Sequence, residues 1–408
     1  MTARKVGTVV VAAAAAALLA ACSSSGSTGS GGGGGDYVIG FSDGITGPTA
    51  AFGAPSAKVA KAVFDAVNAD GGVNGHKIKF ISLDQGSPGS GKAAVNVTQL
   101  ITQDHAIAVL GQSISNDCSS VEAIATRNKV PLLCQRVPTS DLKPVKKYVY
   151  NDTDSEISEV QPQIALIKKL VSKPNPRVAV IGNDNIGTNT WAAAVQKAIK
   201  AAGGTVTAYQ NMSETATSVS ANTAAIVASK PDIVVGEIFQ QFWAPLIKGM
   251  QAAGQDVPYI GTSGDIFYSD LATLKNPNVY LASITAPFDP NTTNADEKKL
   301  IAQLNKAGMS SANDLNVGSG SYTAVGPAAI VAALQKCGYP CSGQKLADAL
   351  ETSTTDVFGL APEGYGYSAD SHFGVKRFYY YHWDDSKKAI VSGFDVAPGD
   401  PVTGAAGS

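Results

Sequence analysis

Short apolar runs that favour β-structure alternate along this chain with longer segments whose apolar residues recur at helical spacing. The β-prone runs are Tyr37–Phe41, Ile78–Leu83, Ile107–Leu110, Pro131–Cys134, Val178–Ile181, Thr205–Tyr209, Ile233–Val235 and Tyr259–Ile260. The helical segments are Ala54–Asn68, Ala93–Thr102, Ser119–Arg127, Ile157–Val171, Thr190–Ala202, Ala221–Ala228 and Phe242–Ala252. Strands and helices that alternate over short connections predict parallel sheets covered by helices on both faces. The runs divide at about Tyr150, so we expect an α/β fold with two doubly wound, parallel-sheet lobes.

The N-terminal segment departs from this alternation. Two basic residues precede an apolar run over residues 6–19, and Leu19-Ala20-Ala21-Cys22 closes it. A basic start, an apolar centre and small residues at the end are typical of a signal peptide. The closing motif resembles that of bacterial lipoproteins, which implies removal of residues 1–21, acylation of Cys22 and attachment to the cell membrane on its extracytoplasmic face. The alternatives are a plain secretory signal cleaved near Ala21 and an uncleaved membrane helix, for which the run is short.

The segment after Cys22 contains only Ser, Gly and Thr from Ser23 to Gly35. Such a sequence has no apolar side chains to bury, so residues 22–35 are predicted to form a flexible tether. The folded body is expected to begin near Asp36, and no later apolar stretch is long enough to cross a bilayer. Residues 397–408 are rich in Gly and Ala and are expected to form a flexible tail.

Composition and charge limit the classes of function. Hydrophobic residues make up 44% of the chain and charged residues 16%, which is ordinary for a globular protein. Removal of the two basic residues of the signal from the total of 31 leaves 29 against 33 acidic residues, a formal charge of −4. An acidic chain without a basic, aromatic-rich run is not expected to bind nucleic acid. We expect a monomer without a cofactor.

Four cysteines remain once Cys22 is set aside, and an even number in an exported protein is typical of two disulfides. Cys118 with Cys134 and Cys337 with Cys341 is the most local of the three possible pairings. A Cys-x3-Cys metal site is the alternative for the second pair, but the chain has only four His and none of them is nearby. No metal is therefore expected.

Four loops that follow predicted strands are rich in small polar residues. They are Ser42–Pro48, Gly111–Asn116, Gln135–Thr139 and Gly261–Asp265. Open parallel sheets bind ligands at the carboxyl ends of their strands, where loops lead into helix N-termini. The sequence therefore predicts ligand contacts from these loops.

Five further segments occur in an informative order: Gly47–Gly53, Asn68–Gly75, Asp84 with Ala93–Val95, Val109–Ser113 and Val130–Leu132. Together they resemble the leucine/isoleucine/valine-binding branch of the type I periplasmic binding proteins, and the likeness runs from about residue 37 to 395. It implies two similar lobes joined by three hinge crossovers, which close on a small solute and present it to an ABC permease in the membrane. The implied lobes are residues 36–149 with about 285–353, and residues 150–284 with about 354–396.

The resemblance and the strand-end rule together predict the ligand-binding residues. Ser113 and Ser115 stand where a strand meets the next helix, a place that suits a carboxylate or another anion. Ser115 could equally be a helix cap and Asn116 a turn residue, and Arg136 is either a ligand partner or a surface charge. The predicted ligand-binding residues are Phe52, Ser113, Ser115, Asn116, Gln135, Thr139, Asn151, Asp152, Phe239, Gln240, Ser263 and Asp265.

One position departs from the resemblance. Amino-acid-binding members have a glutamate that pairs with the ligand ammonium in the loop matching Gly261–Gly264, and Ser263 occupies its place. Asp265 could substitute from two residues further on, whereas Ser263 equally suits an amide, an aromatic acid or another small carboxylate. The predicted solute is accordingly branched-chain amino-acid-like, an amide or a small carboxylate.

Other functions remain as alternatives. A sensor that reports a solute to a signalling partner needs the same closing lobes. Gly86–Lys92 resembles a phosphate-binding loop, but an alanine follows where a hydroxyl residue would hold magnesium. Gly40–Gly44 matches the nucleophile elbow of serine hydrolases, with Ser42 as nucleophile and His372 or His382 as base, but it ends the first strand of the chain. An enzyme is not expected.

The aromatic run Phe378–Trp383 is expected to be a strand of a sheet rather than a platform that stacks a sugar or a base. Tyr365, Tyr367 and His372 follow the third implied crossover and could line the mouth of the cleft. None of these residues is among the predicted binding residues.

Overall fold

The computed structural model describes residues 35–155, 157–263, 265, 267–316 and 320–401. The predictions of a signal peptide, of acylation at Cys22 and of most of the tether and tail concern residues outside this part of the chain. Within the described part, no helix combines the length and the apolar character needed to cross a membrane.

The first sheet has five parallel strands among the described residues. They are β1 Tyr37–Asp43, β2 Ile78–Asp84, β3 Ala108–Gly111, β4 Leu132–Cys134 and β5 Val149–Asn151. Their order across the sheet is β2-β1-β3-β4-β5. Four of them coincide with predicted runs. Strand β5 is not among the predicted runs.

The second sheet, counted over the same described ranges, has seven strands. They are β6 Arg177–Asn183, β7 Thr205–Met212, β8 Ile233–Glu237, β9 Tyr259–Gly261, β10 Val279–Ser283, β11 Phe378–Asp384 and β12 Ala389–Val396. Their order is β12-β11-β10-β9-β8-β6-β7. Strand β11 confirms the prediction for the aromatic run. It runs antiparallel to β10 and β12. The expectation of a wholly parallel sheet is therefore wrong for this lobe.

Helices cover both sheets. In the described residues they are α1 Ala50–Ala69, α2 Lys92–Thr102, α3 Ser115–Asn128, α4 Thr139–Leu142, α5 Val160–Leu170, α6 Ile186–Ala201, α7 Ser220–Ser229, α8 Trp243–Ala252, α9 Tyr268–Leu274, α10 Ala295–Lys306, α11 Ala312–Leu315, α12 Val325–Cys337 and α13 Gly343–Leu350. Two short 3-10 turns lie at Gln240–Phe242 and Gly320–Ala324. All seven predicted helical segments are found, with α1, α3 and α6 each starting four residues earlier than the apolar pattern indicates.

Each sheet and its helices form one lobe, and the chain passes between the lobes three times. It crosses after β5, after β10 and after α13, because α5 packs on α6, α10 packs back on α1, and β11 joins β10. The two lobes and the three crossovers confirm the expected fold class. The lobe boundaries given above stay a prediction.

The first and third crossovers run side by side and form a hinge region. The backbone N–H of Asn151 donates to the carbonyl oxygen of His372 at 3.0 Å, and the Tyr365 hydroxyl donates to the carbonyl oxygen of Asn151 at 2.9 Å. The hydroxyls of Tyr365 and Tyr367 lie 3.1 Å apart, and both tyrosines are buried, as is His372. These three residues therefore pack inside the hinge region rather than at the mouth of a cleft.

Two disulfides tie elements of the first lobe together. Cys118–Cys134 joins α3 to the end of β4, and Cys337–Cys341 closes the turn between α12 and α13. This is the most local of the three pairings that the sequence allows. No group of three or more His, Cys, Asp or Glu side chains in the described part is placed to hold a metal ion.

The chain enters the first lobe through an aromatic cluster. The ring of Tyr37, at the start of β1, lies edge-on to those of His76 and Tyr339, which stack with their centroids 3.6 Å apart. His76 Nδ1 lies 3.1 Å from the carbonyl oxygen of Gly35. Because Tyr339 belongs to the disulfide-closed turn, the start of β1 is held by two separate parts of the lobe.

Candidate functional site

The carboxyl ends of strands from both sheets face one cleft between the lobes. The space in it outside the protein atoms is about 570 Å³, part of it open to solvent. The first lobe lines it with Phe52, Ser113, Ile114, Ser115, Gln135, Arg136 and Tyr322. The second lobe lines it with Asn183, Asn185, Thr188, Glu237, Ile238, Phe239, Ser263 and Asp265. A molecule in this space would contact both lobes at once.

The turn from β3 into α3 forms the first polar edge of the cleft. Gly111 has a φ of +115°, and a Cβ there would lie 2.2 Å from the carbonyl oxygen of Ser42 on β1, so only glycine fits. Gln112 follows with a φ of 60°, and its Nε2 donates to the same carbonyl oxygen at 3.1 Å. This tight turn brings Ser113 and Ser115 to the cleft.

A buried carboxyl group holds Ser113 in place. The backbone N–H and the hydroxyl of Ser113 donate to Asp43 Oδ2 and Oδ1 at 3.2 and 2.9 Å, and the N–H of Gly44 donates to Asp43 at 2.7 Å. Burial raises the pKa of Asp43 to about 6, although these hydrogen bonds lower it. Because its proton is shared with Asp43, the Ser113 hydroxyl offers the cleft an acceptor. It therefore suits a donor on a ligand better than the carboxylate that its position predicts.

Arg136 extends from the end of β4 to the second lobe. Its Nη1 lies 3.2 Å from Asp154 Oδ2 and 3.3 Å from Glu237 Oε1, and its Nη2 donates to the carbonyl oxygen of Ser263 at 2.7 Å. The side chain of Arg136 is 12% exposed and that of Asp154 is fully buried, so little water screens these charges. Since Glu237 is the last residue of β8 and Ser263 follows β9, both in the second sheet, this guanidinium joins the two lobes directly.

Two more carboxyl groups lie beside this ion pair. The N–H and the hydroxyl of Ser263 donate to Glu159 Oε1 at 2.7 and 2.8 Å, and the hydroxyl of a neighbouring threonine donates to Asp265. Burial raises the pKa of Glu159 well above its usual range, and the charge of Asp154 adds to the effect. Burial, with the charge of Glu237, does the same for Asp265. Their surroundings therefore disfavour the charged form of both groups.

Apolar rings and one amide complete the lining. The ring centroid of Phe52 lies 6.3 Å from that of Phe239 and 5.7 Å from that of Phe267, so a ring of the first lobe contacts two rings of the second. Asn183, at the end of β6, is 1% exposed, and its Oδ1 accepts the N–H of Phe239 at 2.7 Å. Over the described ranges, Asn183 Nδ2 has no hydrogen-bond acceptor. The second lobe thus presents an unused donor beside apolar rings.

This geometry can be compared with that of known proteins. The sequence profile of the periplasmic binding proteins matches residues 36–388. The chain belongs to the periplasmic binding protein family. The amino acid binding protein of Pseudomonas aeruginosa is 23% identical to it over 282 residues, which are 67% of this chain and 72% of that protein.

Solved structures of other periplasmic binding proteins share the fold. The solute-binding protein of an R. palustris ABC transporter, in complex with 4-hydroxybenzoate, has a TM-score of 0.74 at 17% identity, with 89% of this chain and 96% of that chain covered. The fatty acid ABC transporter substrate-binding protein from Thermomonospora curvata has a TM-score of 0.71 at 17% identity, with 88% and 91% covered. These comparisons confirm the resemblance to the type I members.

Most of the predicted binding residues of this periplasmic binding protein line the cleft: Phe52, Ser113, Ser115, Gln135, Phe239, Ser263 and Asp265. Three others lie nearby but face elsewhere. Asn116 is exposed, because one step along a helix turns its side chain by about 100° from that of Ser115. Thr139 begins α4, outside the lining, and the Nε2 of Gln240 donates to Asp270 Oδ1 at 2.6 Å on α9. That the lining residues bind a solute stays a prediction.

Asn151 and Asp152 lie in the hinge region and not in the cleft lining. Asn151 Oδ1 accepts the N–H of Val137 at 3.1 Å, and its Nδ2 donates to the carbonyl oxygen of Thr153 at 3.1 Å. Asp152 is 4% exposed, and burial, with the nearby charge of Asp43, raises its pKa well above its usual range. Their place at the first implied crossover predicted contact with a ligand, but the chain there turns both side chains into the protein.

The cleft also contains residues that are not among the predicted ligand-binding residues. They are Ile114, Arg136, Asn183, Asn185, Thr188, Glu237, Ile238 and Tyr322. Asn183 and Asn185 follow the predicted strand Val178–Ile181, so the strand-end rule, applied to that loop, points to them. Tyr322 has no such signal, because it comes from a 3-10 turn far along the chain and donates its hydroxyl to Asp154 Oδ1 at 2.7 Å.

Ser42 does not occupy a nucleophile elbow. It lies inside β1 and is fully buried, with its Oγ 3.3 Å from Gln85 Oε1 and 3.2 Å from Asn96 Nδ2, which donates to it. A nucleophile elbow exposes its serine on a sharp turn between a strand and a helix. This serine instead links β1 to the loop after β2 and to α2.

The loop Gly86–Lys92 directs two of its backbone amides at carboxyl groups. The N–H of Gly86 donates to Asp84 Oδ1 at 2.9 Å, and that of Gly89 donates to Asp117 Oδ1 at 3.0 Å. A phosphate-binding loop keeps such amides for the anion. In this protein, carboxyl groups already occupy them.

Proposed function

We propose that this protein is the lipid-anchored, extracytoplasmic substrate-binding component of an ABC importer, and that its two lobes close on a small solute. The observation that carries the proposal is the single cleft that both lobes line at the carboxyl ends of their strands. A solute there makes contacts with both lobes, and these contacts favour the closed form over the open one. An ABC permease in the membrane then recognises the closed form.

The proposed solute is branched-chain amino-acid-like, an amide or a small carboxylate. The names of the relatives support this range, because one is an amino acid binding protein, one was solved with 4-hydroxybenzoate and one is named for fatty acids. The start of α3 suits an acidic end of the solute, and the phenylalanine rings suit its apolar part. The residues proposed to contact the solute are Phe52, Ser113, Ser115, Gln135, Phe239, Ser263 and Asp265.

Thermal unfolding of the purified full chain tests the binding function. The panel contains amino acids, amides, aromatic acids, fatty acids and sugars. A solute at one hundred times its Kd adds about 2.7 kcal/mol to the free energy of unfolding, which raises the Tm by about 3 °C for a protein of this size. Ser115→Ala should reduce the rise, and Asn116→Ala, one residue away on the exposed side, should leave it unchanged. If no solute on a broad panel raises the Tm, the proposal fails.

Attachment through Cys22 has its own test, because it rests on the signal sequence alone. Cells that express the full chain should retain the protein in the membrane fraction. The Cys22→Ala variant cannot carry acyl chains and should lose this retention. A Cys22→Ala variant that stays with the membrane as fully as the native chain would contradict lipid anchoring without affecting the proposal for the cleft.

A further inference from the structure

Arg136 is the only residue of the described cleft lining that carries a permanent positive charge. Its two terminal nitrogens contact three acceptors, at 3.2 Å on Asp154, 3.3 Å on Glu237 and 2.7 Å on the Ser263 carbonyl. Carboxylate and carbonyl oxygens are also the groups that would receive the ammonium of a ligand. In this cleft they already receive a guanidinium that belongs to the protein.

The other carboxyl groups beside Arg136 do not provide a free anion. Glu159 accepts two hydrogen bonds from Ser263, and Asp265 accepts one from a threonine hydroxyl. Burial raises the pKa of both carboxyl groups well above its usual range and so disfavours their charged form. Asp154 and Glu237 leave one negative charge in excess over Arg136, but an ammonium could use it only by displacing hydrogen bonds that the guanidinium already makes.

The amide of Asn183 leaves a hydrogen-bond donor for a solute. Asn183 is 1% exposed, and its Oδ1 accepts a hydrogen bond from the N–H of Phe239, which fixes the orientation of the side-chain amide. Its Nδ2 has no acceptor among the described residues, although it lines the cleft. A buried donor without a partner costs about 1–3 kcal/mol. A carboxylate or carbonyl oxygen on the solute would remove this cost.

Apolar side chains from both lobes line the cleft together with this donor and the other polar residues. Phe52 comes from the first lobe and Phe239 from the second, and Ile114 and Ile238 extend the apolar surface on either side. A solute that fills the cleft therefore combines an oxygen acceptor with an apolar or aromatic body.

We propose that Arg136 supplies the cation of this cleft from within the protein, so that the solute is an apolar or aromatic carboxylic acid without an amino group. The inference rests on the proposed function and narrows its solute class. It makes Arg136 a specificity-determining residue, since loss of its charge frees Glu237 and Asp154 to receive an ammonium.

Calorimetric titration of the full chain with matched pairs tests this inference. The pairs are 3-phenylpropanoate with phenylalanine and 4-methylpentanoate with leucine, each differing in the amino group. We expect the native protein to bind the acid of at least one pair at least tenfold more tightly than the amino acid. Arg136→Met should reduce this ratio at least tenfold or reverse it, and Arg127→Met, at an exposed arginine of the same lobe, should not change it.

Two further variants keep the test independent of the folding of Arg136→Met. Arg136→Lys retains the charge and should retain the preference for the acid. Asn183→Asp keeps the acceptor for the Phe239 N–H but replaces the donor, and should weaken binding of the acid at least tenfold. Tighter binding of the amino acids, an unchanged ratio in Arg136→Met, or binding only of panel solutes without a carboxylate would overturn this inference and leave the proposed function standing. A panel without any binder would remove both.

Discussion

Arg136 of the first lobe and Glu237 of the second form an ion pair across the cleft, with 3.3 Å between Nη1 and Oε1. They follow different sheets and lie 101 positions apart in the chain. The side chain of each is about one-tenth exposed, so the pair is screened less than surface pairs are. The lobes therefore have a direct attraction for each other, and a solute adds to contacts that the protein itself provides.

Glu237→Gln should weaken the folded state. The substitution keeps the shape of the side chain but leaves the buried guanidinium with one carboxylate fewer, which we expect to lower the free energy of unfolding by about 2 kcal/mol. Urea unfolding of the full chain without solute measures the loss. Glu122→Gln is the matched control, because Glu122 pairs with Lys146 at the surface and should cost under about 1 kcal/mol. Equal losses in the two variants would contradict the assigned role of the cleft pair.

Asp43 should make stability depend on pH. Its pKa rises from 3.8 to about 6 on folding, so the folded state holds the proton more tightly and gains stability that is complete below pH 3.8 and lost as the pH rises through 6. The difference amounts to about 3 kcal/mol. Between pH 4 and pH 7, the free energy of unfolding should fall further in the native chain than in Asp43→Asn. The difference between the two falls should be about this amount. Urea unfolding at several pH values measures it.

Asp370→Asn provides the control for this pH series, because Asp370 is exposed. Its unfolding free energy should follow that of the native chain at every pH. If Asp43→Asn also follows the native chain, the Asp43 carboxyl does not hold a proton in the way that its burial indicates.

The two disulfides should contribute unequally to stability and to binding. Cys118–Cys134 closes a loop of 16 residues, and replacing both cysteines by Ala should cost about 3 kcal/mol. Cys337–Cys341 closes a loop of 4 residues, and its loss should cost about 2 kcal/mol. The first variant should also bind solute more weakly, since its bridge fixes α3 against β4 beside Ser115 and Gln135. Equal solute affinity in the two variants would argue against this positioning.

Phe52→Ala should weaken solute binding by about tenfold, because a lost ring contact costs about 1 kcal/mol and the apolar surface of the cleft also decreases. Titration with any solute that the panel identifies measures the change. Phe394→Ala is the control, since Phe394 is a half-buried ring on β12, under Lys169 and outside the cleft lining. Comparable losses of affinity in both variants would show that Phe52 acts through general stability.

A structural element of this protein can be predicted from sequence when the residues that determine it are neighbours in the chain. Buried parallel strands such as Val178–Ile181 are apolar on both faces and show in a few residues, and the strand-end rule then points to Ser113, Ser115 and Ser263. Strand β5, which follows closely on Lys146 and Lys147, is not among the predicted strands. The antiparallel addition of β11 depends on pairing with β10 almost one hundred residues earlier, and local sequence does not encode it.

The chemistry of the site is less predictable than its position. From sequence alone, Arg136 reads equally well as a ligand partner or a surface charge, because its carboxyl partners lie on the first crossover and in the second lobe. Asn151 illustrates the reverse case. Its place at the first implied crossover suits ligand contact, but a backbone N–H of the loop after β4 donates to its side-chain oxygen. Tertiary contacts of this kind decide which polar groups remain for a solute.

The start of β1, where Tyr37 packs against His76 and Tyr339, also determines how the folded body bears a mechanical load. A force on the chain at Gly35 acts along β1, which pairs with β2 over seven positions on one side and with β3 over Ile39–Ser42 on the other. The hydrogen bonds of both ladders cross the line of pull and share the load, whereas a strand peeled sideways from a sheet edge loses its bonds one after another. Under the proposed attachment through Cys22, drag on the folded body would thus be spread through an interior strand.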